Sequence, residues 1–488
     1  MRFEKSILLI AIFWYSLTAY FSIGYLHPDE HYQIIEFAGL IDETNTPNDL
    51  AWEYGAKIRS SFQPTITYFI FKICDVFSIT NPYNKAFILR LIVGLFAVFT
   101  IYFFTNSVRK FIHPKFWKLF LIVSYFTWFL PFINVRFSSE TLSGLIILWA
   151  TSILFNEKKS TLKYAIIGAI LGLSFIVRFQ IAIICLSIVL WLLFIEKEKF
   201  KNVITLIAAG TFIVFLGGIL DLWFYNEPQL VFWNYFKSNL IEGKASSFGV
   251  SPWYYYLTHS IIYSIPPIGI LLVGSLGFFL YKNPKNLIFW IVFPFIIIHS
   301  LIPHKEIRFL FPIINLMPFI IVFSISKINW KSTLFFKYKK VNLLIAGILI
   351  LINLVFLGIG NLNPAMLNSR VKITKEINEI APSKKANLYY LNDSNPYKPW
   401  NLTTNFYNKS NIIINNLDNY SEPTVNRIKS DETIFLVVRK SDLNSQKVKT
   451  IISDYNLKEV CKGVPDFMNT LLEKFENKSD KILILFSN

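Results

Sequence analysis

Long apolar runs separated by short polar stretches fill the first three quarters of this 488-residue chain. Runs of about 17–25 apolar residues are long enough to cross the hydrocarbon core of a bilayer as helices. The pattern predicts eleven membrane spans, of which the fourth to sixth are short. They lie near residues 6–25, 86–105, 116–133, 141–155, 162–177, 179–195, 202–224, 258–280, 287–302, 309–326 and 341–360.

One more apolar segment, residues 62–80, is long enough to imitate a span. It contains Pro64, Lys72 and Asp75, which are costly in the interior of a membrane helix. We therefore expect a surface-lying or re-entrant helix there, outside the membrane interior.

The pattern changes at residue 361. Beyond it the chain is polar, and short β-rich runs alternate with helical stretches such as 442–455. This alternation predicts a small α/β domain over residues 361–488. The predicted fold class is an all-α polytopic membrane protein over residues 1–360 plus this domain. Its expected strands lie near residues 387–391, 411–414, 433–438 and 481–486.

Composition agrees with a membrane protein. Hydrophobic residues make up 53% of the chain and charged residues only 16%, whereas soluble domains average about 25% charged residues. This excludes several water-facing globules, disorder and coiled coils. The net charge of +17 is expected from basic cytoplasmic loops, so we predict no nucleic-acid partner. Three scattered cysteines predict neither a disulfide framework nor a zinc site.

The basic residues also predict an orientation. With the N-terminus inside, 19 of the 30 Lys and Arg residues in positions 1–360 fall on the cytoplasmic side, as expected for membrane proteins. The predicted inner loops are 109–118, 158–163, 197–201, 282–285 and 327–340. The same count predicts that the first outer loop 26–85, the long outer loop 225–257 and the C-terminal domain lie outside.

Charged and aromatic residues without a role in orientation fall on the predicted outer face. Ionisable groups at a membrane boundary are costly, so they are candidates for a functional site. Asp29 follows Pro28, which suits the first position of a helix. Its carboxylate in the first helical turn stays ionised and can accept a proton from a hydroxyl group. An ordinary acidic helix start is the alternative.

The basic outer residues favour contact with phosphate, because arginine binds two oxygens at once and lysine supplies a point charge. Lipid headgroup anchors are the alternative. The candidates are Arg136, Arg178, His304, Lys305 and Arg308, with His304 and Lys305 the strongest.

The aromatic run at residues 253–256 suggests either a sugar-stacking wall or an interfacial belt. We expect no metal site, because His27 precedes Pro28 and the glutamate of an HExxH motif is displaced.

In these motifs the sequence resembles the Alg9-like mannosyltransferases of glycosyltransferase family 22. Five stretches match in order over about residues 1–320. They are His27-Pro28-Asp29-Glu30 with Gln33 and Glu36; Trp52-Glu53-Tyr54 with Ile58-Arg59-Ser60; Arg136-Phe137-Ser138-Ser139-Glu140; Phe248-Gly249 with Pro252-Trp253-Tyr254-Tyr255-Tyr256; and His304-Lys305-Glu306 with Arg308-Phe309. His31 and Tyr32 depart from the two aromatics usual in the GPI enzymes, and Phe137 replaces a threonine.

The resemblance implies a GT-C fold and transfer of mannose from a polyprenyl-phosphate mannose to a glycan or glycolipid hydroxyl, with inversion, on the non-cytoplasmic face. It implies that the first-loop aspartate, Asp29, is the base, and we assign Glu30 as a support or an acceptor contact beside it. Membrane lipids are further partners, and no cofactor is expected. The residues we expect to line the sugar and acceptor sites are Trp52, Glu53, Arg59, Trp253 and Tyr254.

Two other classes remain open. A transporter or flippase for lipid-linked saccharides would have a similar number of spans, but it predicts ionisable residues midway along helices and internal repeats, and neither is clear here. A non-catalytic scaffold would tolerate the change Asp29→Asn. The Lys-, Asn- and Ile-rich composition favours a bacterial plasma membrane over the endoplasmic reticulum.

Overall fold

The structure is a computed structural model that describes residues 2–157, 159–328, 338–363, 369–382, 384–399, 402–408, 411–419, 433–465 and 482–488. Residue 158 and residues 329–337, parts of two predicted inner loops, lie outside the described residues. So does residue 481, the first position of the fourth predicted strand.

The chain folds as two compact units, and each is built from separate stretches of sequence. The first unit contains residues 1–20, 56–63 and 89–362, and the second contains residues 21–55, 64–88 and 363–488. The predicted composition boundary at residue 361 therefore lies close to the last change between units. The second unit also takes in most of the predicted first outer loop.

Helices account for nearly all regular structure up to residue 363. The apolar runs are long and lack strand-like alternation, which favours helices. The bounds of the helices are Arg2–Phe21, Pro28–Tyr32, Ile35–Ile41, Trp52–Gly55, Phe62–Val76, Pro82–Ser107, Trp117–Phe126, Phe129–Asn134, Ser139–Leu154, Thr161–Val177, Ala182–Leu190, Phe200–Tyr225, Val231–Phe236, Tyr255–Tyr263, Pro266–Lys282, Leu287–Leu301, Phe311–Ile314, Met317–Lys327 and Lys339–Asn361. The segment 62–80 is thus helical, as predicted.

Three of these helices are long and apolar enough to cross a membrane alone, namely Pro82–Ser107, Phe200–Tyr225 and the part Lys340–Asn361 of the last one. Two bent helix pairs bring the total to five if each pair is one span, with a bend of 118° after Lys282 and of 68° after Ile314. The predicted number of eleven is therefore not confirmed within the described residues. Three of the other predicted spans correspond to shorter apolar helices, Ser139–Leu154, Thr161–Val177 and Phe179–Ile195.

Glycines set the closest helix contact in the first unit. A Cβ on Gly168 would lie 2.0 Å from the carbonyl oxygen of Leu206, and a Cβ on Gly172 would lie 2.5 Å from that of Gly210. Only the missing side chains allow the backbones of Thr161–Val177 and Phe200–Tyr225 to approach so closely.

The second unit contains a five-stranded sheet. Its strands are β1 (Ala386–Tyr390), β2 (Ile412–Asn416), β3 (Thr433–Arg439), β4 (Lys458–Lys462) and β5 (Leu483–Ser487), in the order β2-β1-β3-β5-β4. β2, β1 and β3 are parallel, and β5 runs antiparallel to β3 and β4. Helices Ser369–Ile380 and Gln446–Asp454 belong to the same unit.

Four strands and the helix near 442–455 agree with the sequence prediction. β4 was not predicted, because its sequence KEVCK has only two apolar residues and lies at a sheet edge, where its first three residues are exposed. The side of the membrane on which this unit lies stays a prediction.

Candidate active site

Asp29 lies in the first turn of the five-residue helix Pro28–Tyr32, as the proline predicts. Pro28 occupies the first helical position, and His27 is the N-cap with extended backbone. The Asp29 backbone N–H donates to His27 Nδ1 at 3.3 Å, and Asp29 Oδ1 lies 3.2 Å from the same nitrogen. About a quarter of the Asp29 side chain is exposed, so a substrate hydroxyl can reach this carboxylate.

Glu30 differs from the neighbouring Asp29 in its exposure. Its side chain is buried, and Oε2 accepts a hydrogen bond from the Leu26 backbone N–H at 2.9 Å. This bond closes the turn that leads into the helix, so Glu30 stabilises the backbone that carries Asp29. The predicted supporting role is consistent with this placement.

His31 is buried between two aromatic rings. Its ring stacks on Tyr25 and on Tyr407, each with centroids 5.3 Å apart, so it packs as an aromatic side chain would. His31 Nε2 is 2.8 Å from Glu36 Oε1, and this carboxylate also accepts from the Phe406 backbone N–H at 3.2 Å. Residues near 406 and the first loop therefore form one packed cluster.

Tyr32 fixes the other end of the short helix. Its hydroxyl is 3.0 Å from Thr404 Oγ1, and burial raises the pKa of this tyrosine to about 12. Farther along the loop, Gln33 Nε2 donates to Glu53 Oε1 at 2.8 Å. Glu53 is buried by this contact, whereas Trp52 is exposed. Trp52 is therefore available to a ligand, and Glu53 holds the loop.

Glu140 is the centre of a buried charge cluster in the first unit. Its Oε1 accepts from Arg178 Nη1 at 2.8 Å and from Arg308 Nη1 at 2.7 Å. Arg308 Nε also donates to Glu306 Oε2 at 2.5 Å. The three predicted outer turns that carry Glu140, Arg178 and Arg308 are thereby joined. The two arginines also lie by the ring of Phe309, with Cζ 5.4 and 5.2 Å from its centroid.

His304 and Lys305 belong to the same turn but have unequal surroundings. His304 Nε2 lies 3.0 Å from Glu306 Oε1, and its Nδ1 donates to the Gly249 carbonyl at 2.9 Å. Lys305 Nζ donates to the backbone carbonyls of Ser251 and Ile302 at 2.8 and 2.6 Å. Burial lowers the pKa of Lys305. This ammonium therefore holds the turn against the long outer loop.

The remaining basic candidates, Arg136 and Arg59, lie against aromatic rings. Arg136 is buried, with its guanidinium 4.6 Å from the ring centroid of Phe132. Arg59 has its guanidinium 5.7 Å from the ring of Tyr235, and its carbonyl accepts from the Tyr225 hydroxyl at 2.6 Å.

Trp253 and Tyr254 are exposed on the loop before helix Tyr255–Tyr263. Both the belt and the sugar-wall interpretations fit this exposure.

The predicted residues thus form two groups, each within one compact unit. Asp29, Glu30, Trp52 and Glu53 belong to the second unit, and the basic residues, Trp253 and Tyr254 belong to the first. The first group can accept a proton, and the second can hold an anion.

The sequence interpretation did not select Glu140, Glu306 or Glu36 as site residues. All three appear in the motifs that carry the family resemblance, so membership of those motifs was the available signal. No group of three or more His, Cys, Asp or Glu side chains that could hold a metal ion occurs among the described residues. Metal independence stays a prediction.

Known proteins with related sequences are mannosyltransferases. The protein named mannosyltransferase APTG1 of Arabidopsis thaliana is 26% identical over 312 residues, which are 62% of this chain and 54% of that protein. GPI mannosyltransferase 3 of Yarrowia lipolytica is 26% identical over 330 residues, 66% of this chain and 63% of its own length. The human GPI alpha-1,2-mannosyltransferase 3 is 24% identical over 306 residues, 61% and 52% of the two chains. This chain therefore spans about half to two thirds of the length of these relatives.

A solved structure with a similar fold is ArnT from Cupriavidus metallidurans bound to undecaprenyl phosphate. The TM-score is 0.54 at 12% sequence identity, covering 99% of this chain and 97% of ArnT. The chain therefore has the fold of ArnT. At the sequence level, a model of the Alg9-like mannosyltransferase family matches residues 6–397, and this range includes every residue assigned above to the candidate site except Thr404, Phe406 and Tyr407. The chain thus belongs to the Alg9-like mannosyltransferase family.

Proposed function

We propose that this protein is an inverting glycosyltransferase that moves mannose from a polyprenyl-phosphate mannose donor to a hydroxyl group of a glycan or glycolipid acceptor. The family match over residues 6–397 carries this proposal. The relatives are named mannosyltransferases, and ArnT, which shares the fold, was solved with a lipid phosphate bound.

The chemistry needs one base and a set of cations. The acceptor oxygen attacks C1 of mannose, the bond from C1 to the phosphate oxygen breaks, and polyprenyl phosphate leaves with the electron pair. Since phosphate is a good leaving group, no general acid has to protonate it. Positive groups that meet the developing negative charge lower the barrier. A single displacement of this kind inverts the configuration at C1.

Asp29 is the proposed base, because its partly exposed carboxylate follows a proline-fixed turn and can take the acceptor's proton. Glu30 supports that turn through the Leu26 N–H. Trp52 is the proposed sugar contact of the same loop, and Glu53 is placed to hold it.

For the donor phosphate we propose Arg178 as the direct contact, with Arg308, His304, Lys305 and Arg136 as further basic groups of the same unit. Buried guanidinium groups suit this task, since they bind phosphate oxygens with two parallel hydrogen bonds. Arg59, Trp253 and Tyr254 are the proposed contacts for sugar or lipid in the first unit. We also propose an integral multi-pass membrane protein that acts on the non-cytoplasmic face, in a bacterial plasma membrane or the endoplasmic reticulum.

The test is a transfer assay with the purified full chain, polyprenyl-phosphate mannose labelled in the sugar, and lipids extracted as acceptors. We expect label to move to the acceptor lipid, and Asp29→Asn to reduce that rate by about 10²–10⁴-fold, as loss of a general base does. Asp42→Asn is the matched control, because it makes the same change in an exposed ion pair with Lys72 of the same unit.

Asp29→Asn activity above about one tenth of the unmodified rate contradicts the assignment of the base. Label that crosses a proteoliposome membrane while it stays on the donor would instead support a flippase and overturn the proposed reaction.

A further inference from the structure

Arg178 is held on one side and left open on the other. Its side chain is only 3% exposed, and Nη1 donates to Glu140 Oε1 at 2.8 Å and to Ser139 Oγ at 3.1 Å. Nε and Nη2 of the same guanidinium are buried and have no hydrogen-bond partner among the described residues. Leaving a buried donor unmet costs about 1–3 kcal/mol, and more when it is charged, so a ligand is expected there.

The two unpartnered nitrogens of Arg178, Nε and Nη2, form one edge of its guanidinium group. In a guanidinium group, Nε–H and Nη2–H point in parallel along one edge, and Nη1 lies at the opposite corner. Two parallel donors match two oxygens of a phosphate or carboxylate. Because Glu140 and Ser139 occupy Nη1, the edge that remains is the one that fits a tetrahedral anion.

Arg308 differs from Arg178 in this respect. Its Nη1 donates to Glu140, and its Nε and Nη2 donate to Glu306 at 2.5 and 3.3 Å. All three of its nitrogens are therefore engaged by carboxylates of the protein. Arg308 completes the support of Glu140, and Arg178 keeps donors for a ligand.

A second buried atom near the same ring points to a ligand. His299 Nδ1–H donates to the Phe295 carbonyl at 2.8 Å, and His299 Nε2 has no hydrogen-bond partner in the described part of the chain. The His299 ring lies 6.4 Å from Phe309, the aromatic residue beside the Arg178 guanidinium. Buried polar atoms are nearly always satisfied. With its proton on Nδ1, His299 Nε2 is an acceptor, so it fits a hydroxyl group of a ligand, whereas the Arg178 donors fit anionic oxygens.

We propose that Glu140 is a positioning residue that fixes Arg178, so that the Nε–Nη2 edge binds two non-bridging oxygens of the phosphate of the lipid-linked donor. This inference rests on the proposed function. Glu140 itself does not touch the substrate. It bridges two arginines, neutralises part of their charge, and thereby decides which edge of Arg178 is presented.

The experiment measures binding of polyprenyl phosphate to the full chain in detergent, with donor and acceptor KM measured in parallel. Glu140→Gln removes the negative charge that holds both arginines and so weakens the hydrogen bonds they make to Oε1, and Arg178→Lys keeps the positive charge but removes the two-donor edge. We expect each to weaken polyprenyl phosphate binding by about 10–100-fold, as for a lost hydrogen bond to a charged group, and to raise donor KM while acceptor KM stays unchanged.

Glu227→Gln is the matched control, since Glu227 forms an exposed ion pair with Lys57 in the same unit. We expect it to bind like the unmodified protein. If Glu140→Gln does not fold, the binding of polyprenyl phosphate to Arg178→Lys tests the inference, because a lysine cannot supply the two-donor edge.

Unchanged binding in both variants overturns the inference. Equally tight binding of inorganic phosphate alone also overturns it, because the site would then hold free phosphate. Binding needs no transfer, so the two proposals fail separately. A protein that binds polyprenyl phosphate through Arg178 but transfers no mannose contradicts the proposed function and supports this inference.

Discussion

Replacing Glu36 by glutamine tests whether a buried carboxylate holds the first loop onto the segment around Phe406. Glu36 Oε1 receives hydrogen bonds from His31 Nε2 at 2.8 Å and from the Phe406 N–H at 3.2 Å. Its Oε2 receives one from Asn45 Nδ2 at 2.9 Å. The side chains of His31 and Glu36 are each 1% exposed, so water cannot replace a lost partner.

The expected loss of stability in Glu36→Gln follows from the single acceptor oxygen of a glutamine side chain. If that oxygen takes the place of Oε1, the bonds from His31 and Phe406 persist and only the one from Asn45 is lost. Asn45 Nδ2 also donates to the Glu36 carbonyl at 2.8 Å, so it keeps a partner. The opposite orientation loses two bonds and is less stable. The amide nitrogen that replaces Oε2 then faces Asn45 as an unmet buried donor, and such a donor costs about 1–3 kcal/mol. Glu36→Ala loses all three bonds and costs more.

Two measurements check this prediction. Thermal unfolding in detergent should shift down by about 2–4 °C for each kcal/mol, as for a unit of roughly 150–250 residues. Hydrogen exchange at the Phe406 N–H should quicken in Glu36→Ala but little in Glu36→Gln. Glu43→Gln, an exposed position of the same loop, is the control. Unchanged melting and unchanged exchange in Glu36→Ala would refute the reasoning.

Two more predictions concern packing and charge. Gly168→Ala should destabilise the first unit by about 1–3 kcal/mol, the usual cost of overpacking, because the added Cβ meets the Leu206 carbonyl. Gly218→Ala is the control and should be neutral or stabilising, since a Cβ there meets no atom within 4 Å. Equal melting temperatures for the two variants would contradict this prediction. Burial lowers the pKa of Lys305, so the folded protein releases this proton at a lower pH than the unfolded chain does. Its stability relative to Lys305→Met should therefore rise as the pH is raised toward the ordinary lysine pKa of about 10.4; a difference in melting temperature that is constant or falls with pH would contradict that reasoning.

Local chemistry explains what the sequence could predict. Pro28 fixes the start of a helix, so the first-turn position of Asp29 follows from two adjacent residues. The strands β1, β2, β3 and β5 follow from short apolar runs bounded by polar turns. These features depend only on neighbours in the chain.

Features that depend on distant residues could not be predicted in this way. Glu140 joins Arg178 and Arg308, which lie in different turns, and no local pattern specifies that a glutamate will receive both arginines. The predicted number of eleven spans was not confirmed for a related reason, because hydropathy does not indicate where an apolar run bends. The run 116–133, for example, divides into Trp117–Phe126 and Phe129–Asn134.

The hydrogen bond between Tyr32 and Thr404 joins residues 372 positions apart. During synthesis the chain emerges from the N-terminus, and contacts of high sequence separation form late. The helix that carries Asp29 therefore lacks its final packing partners until almost the whole polypeptide has been made. A premature stop between residues 362 and 403 would leave every transmembrane candidate among the described residues intact and still deprive the nascent chain of the partners of its proposed proton-accepting loop.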